Sequence, residues 1–140
     1  MATHELAPGV TVDVYNLHMD AGSCPGDLEA RSTQTDQLLA EILSRSPGRA
    51  VIVAGDTNSR PERDEGLQRL LDEAGLVEAC RAVGCGDDRI DRVMLRGSER
   101  VSLEVESWSL PPEFVDDTGE DLSDHVPVLV RLKWTAIGYP

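Results

Sequence analysis

The segment "VIVAGDTNSR", Val51 to Arg60, passes from an apolar, β-branched half into a glycine, a carboxylate and a carboxamide. With the preceding Ala50 its first half is a short continuous apolar run, the pattern of a strand buried on both faces. Ending such a strand on Asp56 and Asn58 puts two polar side chains at the tip of a rigid element. Taken singly, each has an ordinary reading as an Asx-turn residue or a helix cap. The Asp-x-Asn spacing also resembles the start of a calcium loop, but the position requiring glycine is Pro61 and the closing glutamate position is Leu67. That reading fails.

Outward from this strand, the flanking sequence alternates between strand and helix signals. "VTVDVYNLHM" (Val10 to Met19) alternates valine with polar or aromatic residues and predicts a strand, as does "MATHEL" before it. "AGSCPGD" is a loop of turn formers in which Asp27 is placed to cap a helix. From Leu28 to Ser44, Thr35, Leu38, Leu39, Ile42 and Leu43 recur at helical spacing, with Arg31, Gln34, Gln37 and Glu41 on the polar side. A second helix is expected from about Arg63 to Ala74, with Leu67, Leu70 and Leu71 inward and Gly75 as its stop. After a Gly-rich loop, "RIDRVMLR", "VSLEVESWSL" and "HVPVLVRLKW" read as strands, with the acidic, turn-rich "PPEFVDDTGEDLSD" before the last. This order predicts an α/β class.

The totals narrow the function. With 140 residues the chain is at most one domain. Twenty-six acids against thirteen bases give a net charge of −13, and the pI is near 4.5. Such a surface repels a polyanion and lacks the basic stripe of a general nucleic-acid binder. A small or neutral substrate fits it better, or an anionic one approached through bound metal; much of the charge also serves solubility. No apolar run has the length of a membrane span, and "MATHELAPGV" has no signal-peptide pattern. Cys24, Cys80 and Cys85 form no zinc pattern. Cys80 and Cys85 are spaced either for a short disulfide or for two reduced thiols.

Four polar clusters stand at the ends of expected strands: His18, Asp56 with Asn58, Asp91, and Asp124 with His125. Strand ends are where α/β proteins place their sites. A lone histidine such as His18 is more often structural, and His4 is read so. Asp91 on an otherwise apolar strand needs a partner, and His125 is the natural one.

"VIVAGDTN", "DRIDRV" and "DLSDHVPVLVRL", in this order after "VYNLHMD", resemble the endonuclease/exonuclease/phosphatase superfamily with its DNase I-like fold, over about Val10 to Leu132. "NLHMDAG" and the following "AR…Q…QL…I" helix are more similar to the bacterial sphingomyelinase-like and general hydrolase branch than to the DNA-repair nucleases. The resemblance implies hydrolysis of phosphate esters by water attacking phosphorus in line, with Mg2+ (or Mn2+ or Ca2+) bound. Asp56 would orient or deprotonate the water, Asn58 would position it or contact the phosphate, His18 would hydrogen-bond the phosphate oxygens, and His125 would contact the phosphoryl group or serve in proton transfer. Asp91 would orient His125, and Asp124 and Asp56 would hold the metal. A phospholipid or small phosphodiester is the expected substrate rather than long nucleic acid.

The family's "WN" asparagine and its "QE" glutamate, a principal metal ligand, have no counterpart here. Residues 1–140 are therefore expected to be a partial domain, the C-terminal half of a four-layer α/β sandwich. The expectation is one mostly antiparallel mixed sheet with two main helices on one face. The other face would be uncovered, so the chain would pair as a homodimer or with a complementing N-terminal half. A second reading follows: a non-catalytic remnant or interaction subunit. A signal peptide would lie in the missing half, which leaves the compartment open between cytoplasm and exterior.

Overall fold

Two runs of alternating or continuous β-branched residues on either side of one amphipathic helix are enough to place the central strands. The structure, a computed structural model, describes residues 1–60, 65–86 and 88–138. Its elements are β1 (Ala2–Ala7), β2 (Val10–His18), α1 (Pro25–Arg45), β3 (Ala50–Asp56), α2 (Glu65–Ala74), β4 (Val77–Glu78), α3 (Ala79–Val83), β5 (Asp91–Arg96), β6 (Val101–Ser109) and β7 (Leu129–Ala136). Five strands form a mixed sheet in the order β1-β2-β3-β5-β4, and β6 pairs with β7 in a second sheet of two. Among the described residues β2 and β3 alone run parallel, with α1 as their crossover; the other pairs are antiparallel. The class is the one the element order predicts. The strands, however, divide between two sheets rather than sharing one.

α1 and α2 cover one face of the large sheet. Tyr15, Val51, Val53 and Met94 from the strands pack with Leu39 and Ile42 of α1 and Leu67, Leu70, Leu71 and Ala74 of α2. On the opposite face Val10, Val12 and Ala50 meet Val101, with Val14, Ile52, Leu103 and Ala136 partly buried around them. That second cluster is smaller, because the β6–β7 ribbon covers only part of the face. Leu43, expected inward, is 49% exposed. Arg31, expected on the polar side, is buried.

The helix ends follow local rules. Cys24 is the N-cap of α1, Pro25 follows it, and Asp27 reaches back to accept the Cys24 N–H at 2.8 Å. Asp27 thus caps from three residues inside rather than from the cap position. α2 ends where Gly75 takes φ 65° and the Leu76 N–H returns to the Leu71 carbonyl at 2.8 Å. The start expected at Arg63 lies outside the described residues. β4 and α3 occupy sequence for which no element is expected, and Cys80 and Cys85 are joined in a disulfide at the end of α3.

A buried polar knot ties the strands to the helix ends. Asp13, 1% exposed, accepts from Thr3 Oγ1 (2.6 Å), Ser46 Oγ (2.7 Å) and Arg49 Nη2 (2.9 Å). Arg96 adds bonds to the carbonyls of Ser46 (2.7 Å) and Arg49 (3.2 Å). Burial pushes the Asp13 carboxyl upward, but the Thr3, Ser46 and Arg49 partners outweigh it, and its pKa lies below the ordinary value. Asp13→Ala leaves those donors unmatched and should lower stability at neutral pH by about 2–3 kcal/mol, read from denaturant unfolding. A lowered carboxylate pKa contributes stability above its unfolded value that is lost as pH falls through the folded value. The gap between wild type and Asp13→Ala should therefore narrow on acidification; a gap independent of pH would contradict this account.

Candidate functional site

The register of three strands builds the site. β2 and β3 pair His18 with Asp56, and β3 and β5 pair Asp56 with Asp91, so the three side chains form one row. Alternation places that row on the face opposite α1 and α2, the face that carries Val12, Val14 and Ile52. Gly55 makes the pairing possible. It takes φ 140°, and a Cβ there would stand 2.0 Å from the Leu17 carbonyl oxygen.

His125 arrives from the loop before β7 and completes the row. Its Nδ1 lies 2.9 Å from Asp91 Oδ2 and 3.1 Å from Oδ1, while its Nε2 faces Asp56 Oδ2 at 3.9 Å. His18 Nε2 stands 3.5 Å from the same Asp56 oxygen. The Ser123 hydroxyl accepts the His125 N–H at 3.0 Å and turns the loop toward Asp91. Arg89 also holds this loop, donating to the Val126 carbonyl at 3.4 Å from a position over the Trp108 ring. Asn58, at φ 46°, donates its backbone N–H to Asp56 Oδ1 at 2.8 Å and its amide to Asp56 Oδ2 at 3.2 Å.

Five of the residues expected from sequence thus meet at one place: His18, Asp56, Asn58, Asp91 and His125. Asp124 neighbours His125 on the exposed loop and adds its charge to the field there, but its carboxylate is outside the close-set group of donors. Arg89 and Ser123 were not read as site residues; the motif shows the histidine but not what bends its loop. A groove of about 240 Å3 runs past Gly55, Asp91, His125 and Val126. The larger cleft, about 720 Å3 between α1 and α2, contains none of these residues.

The Asp91 hydrogen bond and charge raise the His125 pKa, and the charges of Asp56 and Asp124 act the same way. His125 is therefore held toward imidazolium, with Nδ1–H on Asp91 and Nε2–H presented to the groove. Asp56, Asp91 and His125 bring ligand atoms within 4.8 Å of one another. A hard divalent cation takes carboxylate oxygens, whereas a protonated imidazole is no ligand, so the donor set fits such an ion through its carboxylates with water completing the shell. Asp91→Asn should lower the His125 pKa, followed by the ring proton shifts against pH; an unchanged titration would show that the Asp91 contact does not govern it.

No protein-family model matches the chain. It is 32% identical over 148 residues to a sphingomyelinase of Mycobacterium tuberculosis, covering 94% of this chain and 29% of that protein. The chain thus spans less than a third of the length of this curated relative. D. rerio TDP2, solved with a single-strand DNA product, superposes with a TM-score of 0.70 at 21% identity, over 89% of this chain and 57% of that one. The human Nocturnin catalytic domain, solved with a sulfate anion, gives 0.64 at 18% identity, over 90% and 47%. The shared fold and the sphingomyelinase similarity agree with the motif order read from the sequence: the chain belongs to the endonuclease/exonuclease/phosphatase superfamily, with its DNase I-like fold.

Proposed function

We propose that this chain carries the catalytic row of a metal-dependent phosphodiesterase that hydrolyses its substrate by direct attack of water on phosphorus. One observation carries the reading: a single strand register sets His18, Asp56 and Asp91 side by side, and His125 closes onto them. Asp56, 11% exposed, is the base of the row and takes the proton of the attacking water. The Asn58 amide beside it holds that water in line. His18 and the imidazolium of His125 donate to the phosphoryl oxygens where charge grows. Asp91 fixes the tautomer of His125 and keeps its charge. The Asp56 carboxylate would hold Mg2+, with Asp124 the expected second ligand although its carboxylate stands outside the close-set donors, and the ion would supply Lewis-acid stabilisation of the phosphoryl oxygens. Mn2+ and Ca2+ are the alternatives.

A small or lipid phosphodiester is the favoured substrate. The net charge of −13 opposes long nucleic acid, and the sequence relative is called a sphingomyelinase. Phe114, Leu122 and Val126 are exposed apolar residues lining the approach to His125, which suits a substrate with an apolar part. The chain is further proposed to be a partial domain that works with a complementing half. The partly covered sheet face around Val14 and Ile52 supports this, as does the 57% share of D. rerio TDP2 that it spans. If that half is required for turnover, the isolated chain is the interaction unit of the second reading.

The test is hydrolysis of bis-p-nitrophenyl phosphate by the purified chain with Mg2+. Activity is expected to vanish with EDTA and to fall roughly 10²–10⁴-fold in Asp56→Ala. Turnover that survives either treatment would contradict the proposed chemistry. No turnover in the wild-type chain would favour the interaction unit.

A further inference from the structure

The peptide that joins Met19 to Asp20 is gripped at both ends. Its carbonyl, on Met19, accepts the Asn58 amide at 2.9 Å. Its N–H, on Asp20, donates to Gln34 Oε1 at 2.8 Å. A peptide unit is planar, so a bond at the N–H fixes where the carbonyl points. Gln34 lies on α1, one turn along from Arg31, so the two share a helix face. Arg31 is buried, and its Nη1 takes the next carbonyls of the same loop, Asp20 at 3.0 Å and Gly22 at 2.8 Å. The Met19 N–H is bonded in turn to the Asp56 carbonyl at 2.9 Å. Nearly every peptide between His18 and α1 is therefore tied either to β3 or to the helix.

The consequence falls on Asn58. Its Nδ2 gives one bond to the Met19 carbonyl and one to Asp56 Oδ2, which commits both amide protons and leaves Oδ1 for an incoming donor. A continuous run of hydrogen bonds thus leads from Gln34 through the Met19–Asp20 peptide and Asn58 to Asp56. Within it, the Met19–Asp20 peptide donates at its N–H and accepts at its carbonyl, so the bond to Gln34 strengthens the bond from Asn58. We propose that Gln34, supported by Arg31, is a positioning residue: through the Met19–Asp20 peptide it sets the rotamer of the Asn58 amide and with it the orientation of Asp56. Its catalytic meaning rests on the hydrolase reading above, but the hydrogen-bond run exists whether or not the chain turns over.

The experiment compares wild type with Gln34→Leu, Gln34→Glu and Arg31→Lys, using the full chain labelled with 15N. The Asn58 side-chain amide pair is identified by its disappearance in Asn58→Ala. Gln34→Leu removes the acceptor, and the pair is expected to shift and to exchange with solvent about tenfold faster. Gln34→Glu keeps an acceptor oxygen and is expected to restore the wild-type position, which a purely structural role would not distinguish. The backbone amides of Val51, Val53 and Leu70 should stay in place throughout. Arg31→Lys, which reaches one carbonyl at most, should move the Asn58 pair in the same direction as Gln34→Leu and carries the test if that variant does not fold. An Asn58 pair unmoved in the folded variants, or moved equally by Gln34→Leu and Gln34→Glu, would overturn the proposal. With bis-p-nitrophenyl phosphate and Mg2+, kcat should fall in Gln34→Leu at unchanged KM and recover in Gln34→Glu. A shifted amide with unaltered kcat would overturn the catalytic meaning. Absence of turnover in wild type would count against the hydrolase reading alone.

Discussion

Everything at the site depends on one register. The parallel pairing of β2 with β3 and the antiparallel pairing of β3 with β5 set His18, Asp56 and Asp91 in line. Side chains alternate along a strand, so slipping either pair by one residue would send part of the row to the helix face. Gly55 permits the alignment immediately before Asp56, because any side chain there would strike the Leu17 carbonyl. The helices close the other face, which leaves the row opening on the side where β6 and β7 give only partial cover. The geometry of this row is thus a property of strand pairing first and of individual side chains second.

The frame behind the row is held by buried charge. Asp13 with Arg49, and Glu78 with Arg92, are ion pairs with a buried carboxylate on β2 and on β4. Arg92 sits next to Asp91, and its guanidinium also approaches the Ser59 carbonyl at 3.4 Å, in the loop that follows Asn58. Such pairs are weak as net stabilisers but costly to break singly, so they favour one arrangement over its neighbours. For a site that needs hydrogen-bonding groups placed within tenths of an ångström, this rigidity matters more than total stability.

Much of this was legible in the sequence. "AVIVAG" showed its burial pattern, "VTVDVYNLHM" its alternation, and the motif order singled out five residues that the strands and their adjoining loops bring together. The chain carries no local mark of what lies hidden. Asp13 occupies what looks like a polar position in an alternating strand, yet it points into the helix layer toward Ser46 and Arg49, more than thirty residues away. Arg31 reads as the polar side of an amphipathic helix, yet it turns inward to satisfy the carbonyls of a loop. Long-range polar satisfaction has no period, and periodicity is what a single sequence displays. The division of strands into two sheets was missed for the same reason, since β6 and β7 pair across a long acidic loop.

The central claim is that the row formed by His18, Asp56, Asp91 and His125 receives a phosphodiester. Titration of the chain with dimethyl phosphate, followed by the ring signals of both histidines, addresses it without requiring turnover. The account predicts that the His18 and His125 signals shift together along one saturating curve while His4 does not move. Shifts confined to other residues, or none at either histidine at saturating probe, would contradict it.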